Sequence, residues 1–174
     1  MEYAFNLKFK LALGEVDHDA IMMCLGEAGC DDALVGLGVA GHVGLRFIRE
    51  AETAEDAILS AIDDIKKALP GSQLVEAGPD FVGLADIAEI VGVSRQNMRK
   101  LMLNNADVFP SPVHGGTSSV WHLVHVLVFM QQRHYQLAKT VLDVARTTMQ
   151  VNLVKEQAFV DSRVDEKLRP KIFA

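Results

Sequence analysis

A chain of 174 residues holds one ordinary domain or two small ones. Apolar residues make up 49% of it and charged residues 23%, a balance that excludes wholesale disorder. The formal net charge of −6 gives no support to nucleic-acid binding by the chain as a whole, but the charge is unevenly spread. Residues 1–80 carry 6 Lys/Arg against 15 Asp/Glu, residues 81–133 carry 4 against 3, and residues 134–174 carry 7 against 5. The acid excess therefore belongs to the first half. A DNA reader in the second half would bind random DNA weakly and its own site steeply, because few phosphates are neutralised.

Cys24 and Cys30 form neither a metal-ligand quartet nor a disulfide framework. Cys24 falls in an apolar helical pattern that assigns it to the core, and Cys30 follows Gly29 at a helix end. No charged segment followed by an apolar one suggests a signal peptide. The longest apolar run, Val120–Met130, is too short for a bilayer and contains His122 and His125. A reducing, cytoplasmic setting without a membrane partner is expected.

The first eighty residues show a clear order of periods. Tyr3–Leu13 alternates as a strand, with Tyr3, Phe5, Leu7, Phe9, Leu11 and Leu13 on one face. A helix begins at Asp17, carries Ala20, Ile21, Cys24, Leu25 and Ala28 inside, and stops near Gly29. Strands Ala33–Gly38 and Val43–Glu50 follow around a Gly-rich turn. Thr53–Leu69 is an amphipathic helix ended by Pro70-Gly71, and Gln73–Ala77 is a last short strand. The order β-α-β-β-α-β predicts an α+β fold, a ferredoxin-like domain over residues 1–79 with both helices on one sheet face.

Gly36, Gly38 and Gly41 match a GxGxxG fingerprint. That motif binds dinucleotides only where its last glycine opens a helix, and here it opens the alternating His42–Ile48. A hairpin is expected instead, and no cofactor. An RNA-reading sheet needs exposed aromatics on its central strands, and Phe47 is the only aromatic in Val43–Glu50. Asp31-Asp32 and Asp63-Asp64 read as solvated surface acids. No nucleophile stands in a catalytic motif and no paired carboxylates sit in a recognisable frame, so no enzyme is expected.

Gly78-Pro79 marks the boundary to a second unit, residues 80–133. In Leu84–Leu103, Ala88 stands four residues before Gly92, with Ile87 and Val91 on the same helical face. Gly92 falls where the chain must turn sharply, a place that often needs positive φ. Ser94 offers an N-cap for a new helix, and Met98 and Leu101 point back at Ile87 and Val91. The outer face then holds Arg95, Gln96, Arg99 and Lys100, residue types that contact phosphates and base edges.

Phe109-Pro-Ser-Pro-Val113 and Ser118–His122 flank His114-Gly-Gly-Thr117, which predicts a short edge hairpin with Trp121 at its inner end. Leu123–Gln132 reads as a helix with Val124, Leu127, Val128 and Met130 inside. His122 and His125 share the i,i+3 spacing of metal ligands, but no third ligand is evident, so no metal is expected.

On these residues, Leu84–Arg133 resembles the winged helix-turn-helix of AlpA-type and excisionase-type DNA-binding proteins, relatives of the MerR regulators. The features that carry it are Ala88, Gly92, Val93-Ser94-Arg95, the Phe109-Pro-Ser-Pro entry and Trp121 before the third helix. The resemblance implies a recognition helix in the major groove of double-stranded DNA. By position its contacts would be Ser94, Arg95, Gln96, Asn97, Arg99 and Lys100, joined by His114 and Thr117 of the wing. The wing of such proteins is usually basic, whereas this chain has Ser118, Ser119 and Val120 there. Hydroxyl or backbone N–H contacts would replace the missing cations.

Residues 134–174 read as one long helix from His134 to about Val160, then an extended charged tail. Leu137, Val141, Val144, Thr148 and Val151 form one stripe of the helix, and Ala138, Leu142, Ala145 and Met149 a second. The resemblance suggests that this helix pairs across a homodimer axis; folding back on the chain's own sheet is the alternative. The expected function is sequence-specific DNA binding as a homodimeric transcriptional regulator, nucleoid-associated when bound. The rival is a protein-interaction adaptor, antitoxin-like or phage-related, whose protein partner meets the acidic domain or the long helix.

Overall fold

A computed structural model describes residues 1–12 and 17–173. The fold is mixed α+β. Strands β1 (Glu2–Lys10), β2 (Ala33–Gly36), β3 (His42–Glu50) and β4 (Gln73–Gly78) form an antiparallel sheet in the order β2-β3-β1-β4. Alternation along β1 buries Tyr3, Phe5, Leu7 and Phe9, and along β3 it buries Val43, Leu45 and Phe47. The register sets Phe5 opposite Phe47, with stacked rings 5.1 Å apart. β1 is shorter than its sequence pattern predicts, since Leu11 already leaves the ladder and bonds Gly41, while Leu13 lies outside the described residues.

Helices α1 (His18–Glu27) and α2 (Ala54–Ala68) close this core with Ile21, Leu25, Ala57, Ile58, Ala61 and Ile65. Asp17 caps α1 and Thr53 caps α2, where the side-chain oxygen accepts from Asp56 N at 3.0 Å. Acidic Glu55 and Asp56 at the start of α2 and basic Lys66 and Lys67 at its end complement the helix dipole. The GxGxxG glycines lie in the β2–β3 hairpin, where Gly41 has φ +72. Phe47 is buried, so it is not available for stacking on a base.

Two expectations for this half need correction. Asp32 and Asp64 are not solvated surface acids. Both hold Arg49, a largely buried residue of β3 whose Nε and Nη2 meet Asp32 at 2.7 and 3.0 Å and whose Nη1 meets Asp64 at 2.8 Å. Ser60 and the Gly29 carbonyl take the remaining guanidinium protons, and the Asp32 carboxylate, then that of Asp64, keep Arg49 charged well above the usual arginine range. Cys30 rather than Cys24 is the buried thiol. Burial, and then the nearby Asp64 carboxylate, push its pKa up to about 11.

The second half begins with β5 (Phe81–Val82), α3 (Leu84–Ile90) and α4 (Arg95–Asn104), and continues with β6 (Trp121–His122) and α5 (Leu123–Gln132). α5 is apolar nearly all round and buries Leu123, Val124, Val126, Leu127, Phe129 and Met130, more than one stripe. His134 takes φ +62 and breaks the chain, so the long helix α6 starts only at Lys139 and runs to Glu156.

α6 packs within its own chain. Val144 enters the sheet core, while Leu142 and Ala145 enter the core of the second half. The apolar face of α6 thus serves two cores, Val151 joining Val144 in one and Val141 and Met149 joining Leu142 and Ala145 in the other, and the buried face assigned by expectation to a homodimer axis is occupied intramolecularly. The tail is not extended either: after a 3-10 turn at Gln157–Phe159 it forms helix α7 (Ser162–Ile172), with Pro170 inside. Among the described residues no helix is long and apolar enough to cross a membrane.

Candidate nucleic-acid interface

The α3–α4 unit forms as its sequence dictates. Gly92 adopts φ +71, the left-handed conformation a side chain resists, and Val93 N bonds back to Ala88 O at 2.9 Å. Ser94 then caps α4, its oxygen accepting from Asn97 N at 3.1 Å. Met98 is buried against Ile87 and Ala88, with Leu101 partly buried in the same cluster. This packing fixes the rotation of α4 and leaves Arg95, Gln96, Asn97, Arg99 and Lys100 exposed.

These residues divide between two hollows. Arg95 and Arg99 line an open groove of about 870 Å³ between α4 and the 111–120 segment. Thr117 lines it as well, with Ser111, Ser118 and Ser119. Asn97 and Lys100 line a smaller hollow of about 350 Å³ beside Asn104 and Tyr135. Gln96 and His114 line neither of these two; Gln96 is exposed on α4, and His114 lies at the bridge that closes the 115–119 turn.

The hairpin expected around Gly115-Gly116 is smaller than its sequence suggests. It is joined only at the bridge His114–Val120, with Val113 N and Val120 N bonded across at 2.8 and 3.0 Å. Trp121 and His122 pair instead with Val82 and Phe81, because Pro110 and Pro112 cannot extend a ladder. The turn is anchored from inside: Trp121 donates its Nε1–H to the Pro110 carbonyl at 2.9 Å, and Phe109 sits edge-on to Trp121 and Phe129. Arg133 covers the Phe129 ring at 3.8 Å and reaches Asn105, so this arginine is structural.

Sequence reasoning missed Ser111 as a groove-lining residue. Ser118 and Ser119 stood out as wing residues whose hydroxyls would replace missing cations, but nothing in the spacing says that the loop returns alongside Arg95. Sequence reasoning also missed a buried polar hub around Asp80. Asp80 accepts from His122 Nδ1 at 2.7 Å and from Asn152 Nδ2 at 2.8 Å, and Thr148 donates to the Pro79 carbonyl at 2.8 Å. Thr148 and Asn152 are one helical turn apart on the apolar face of α6, the one signal that could have revealed the hub. His122 and His125 have rings 5.5 Å apart, and among the described residues no group of three or more His, Cys, Asp or Glu side chains could hold a metal ion.

Asp86 also lines the groove, with its carboxylate turned to Gly83 N at 2.8 Å as a helix-start contact. The site therefore presents two guanidinium groups and four hydroxyls on one open concave surface. Guanidinium forks and hydroxyls are suited to phosphate oxygens and to base edges. Comparison with protein-family models, with curated proteins and with solved structures finds no match to this chain.

Proposed function

We propose that the chain is a sequence-specific double-stranded DNA-binding protein, a homodimeric transcriptional regulator built from a ferredoxin-like domain and a winged helix-turn-helix. The strand order β2-β3-β1-β4, with α1 and α2 in one core, supports the first domain. The capped two-helix unit with positive φ at Gly92 supports the second. The observation that carries the function is the shared groove of Arg95, Arg99 and Thr117 beside the exposed face of α4. In this reading α4 enters the major groove and Gln96 reads a base edge. Arg95 and Arg99 contact guanine or phosphate, and Lys100 contacts phosphate. The hydroxyls of Thr117, Ser118 and Ser119 take the backbone contacts that a basic wing would make. Free Cys24 and Cys30 suit a cytoplasmic, reducing setting.

The test is DNA affinity by fluorescence anisotropy for wild type, Arg99→Ala and Arg46→Ala, the last an exposed arginine of the sheet domain. Arg99→Ala is expected to weaken binding by about 1–3 kcal/mol and Arg46→Ala to leave it unchanged. Equal affinity of all three proteins would count against the groove.

A further inference from the structure

The C-terminal helix α7 carries Val164, Leu168 and Ile172 at successive i,i+4 positions, a single apolar stripe. These three are 49%, 46% and 64% exposed, and α7 buries none of its side chains among the described residues. The flank beside the stripe is charged, with Asp165 and Arg169 paired at 2.6 Å. An isolated eleven-residue helix is marginal in water, so an amphipathic one of this length implies a surface that covers its stripe.

The same chain holds such a surface. Between α2, β4 and α6 lies an open groove of about 540 Å³ with an apolar floor of Leu59, Ile62, Leu74, Val151 and Val154. Leu59 and Val154 are themselves exposed. The groove runs along α6 from Arg146 to Lys155, about 13 Å at the rise of an α-helix. Val164 to Ile172 spans about 12 Å on the same measure. Arg146 and Glu55 give the rim both signs of charge, as on the flanks of α7.

The connector decides whose groove is filled. Gln157 continues α6 in the right-handed helical region, and Val160 and Asp161 are extended. With this connector α7 buries none of its side chains, and none of its residues lines the groove of its own chain, which stays open. We infer that α7 seats its Val164–Leu168–Ile172 stripe in the α2–α6 groove of a second copy, and that the second copy reciprocates. Two exchanged helices make a closed, two-fold dimer with identical contacts on each side. The inference rests on the homodimer part of the proposed function and specifies its interface, which differs from the α6 pairing expected from sequence.

The test is the mass of the full chain by sedimentation, with circular dichroism as a check that each variant folds. Wild type is expected at twice the 19.0 kDa chain mass, and Leu168→Asp and Val154→Asp each as monomers, with dissociation raised at least about 100-fold. Mixing the two variants is expected to restore a dimer, because one intact helix meets one intact groove. In a Cys24→Ser background, the pair Leu168→Cys and Val154→Cys is expected to crosslink between chains on oxidation. A crosslink confined to one chain overturns the exchange. A dimer unaffected by either Asp variant overturns the interface while leaving the homodimer reading intact. A wild-type monomer at 100 µM overturns both, without bearing on DNA affinity.

Discussion

The side chain of Asn152 completes the backbone of Ala77. Its Oδ1 accepts from Ala77 N at 2.9 Å and its Nδ2 donates to Ala77 O at 2.8 Å, as a neighbouring strand would. β4 is an edge strand, and this contact from α6 closes its open side where the chain passes from the sheet to the α3–α4 unit. Asn152→Ala strands a buried N–H, a carbonyl and one oxygen of Asp80, and is expected to destabilise the protein by about 3 kcal/mol. Urea unfolding measures it; a loss below about 1 kcal/mol would mean that water substitutes for the amide.

Arg49 ties β3 to the loop after α1 and to α2 through Asp32 and Asp64. Arg49→Met keeps most of the volume but leaves both partly buried carboxylates without their partner. The expected cost is about 3 kcal/mol, the usual result of breaking rather than replacing a buried pair. Thermal unfolding of Arg49→Met beside Arg46→Met, an exposed control, checks it.

Cys30 gives stability a pH dependence. Its thiol ionises at about 11 in the folded chain against 9.0 for an unperturbed thiol, so the folded state resists losing the proton. The stabilisation is complete below pH 9 and is lost as pH rises from 9 towards 11. Wild type should therefore lose stability relative to Cys30→Ala across that interval. A constant difference between the two unfolding free energies would contradict the assignment. At pH 8, native protein should also react with a thiol reagent at Cys24 well before Cys30.

Gly92 has open space where a Cβ would lie, so its φ of +71 is the sole objection to a side chain there. Gly92→Ala is expected to cost about 1–2 kcal/mol, the penalty of the left-handed conformation, and Gly92→Asn less. Chemical unfolding of the two variants measures the difference; equal stabilities would mean that the turn relaxes.

What the sequence discloses follows the range of the interactions involved. The alternation of Tyr3 to Phe9, the apolar spacing of α2 and the Gly92–Ser94 pair are local signals, and each element stands where those residues put it. The pairing of Asp32 and Asp64 with Arg49 is not local, so paired acids looked like surface acids. The break at His134 is hidden because histidine rarely adopts φ +62. α7 was obscured by Pro170 and by dense charge, although its i,i+4 stripe was present in the sequence. The outward face of α4 was legible, but its grouping with Ser111, Ser118 and Ser119 depends on how Trp121 and Phe109 anchor the returning loop.

Sequence-specific DNA binding through the α4 face is what the proposed function stands on. Its most direct test is selection of the full chain against random duplex DNA at two salt concentrations, run beside Arg95→Ala/Arg99→Ala. One enriched motif, arranged as an inverted repeat, is expected for wild type, and its loss in the double variant with the sheet domain still folded. No enrichment with wild type, or the same motif from both proteins, would contradict it.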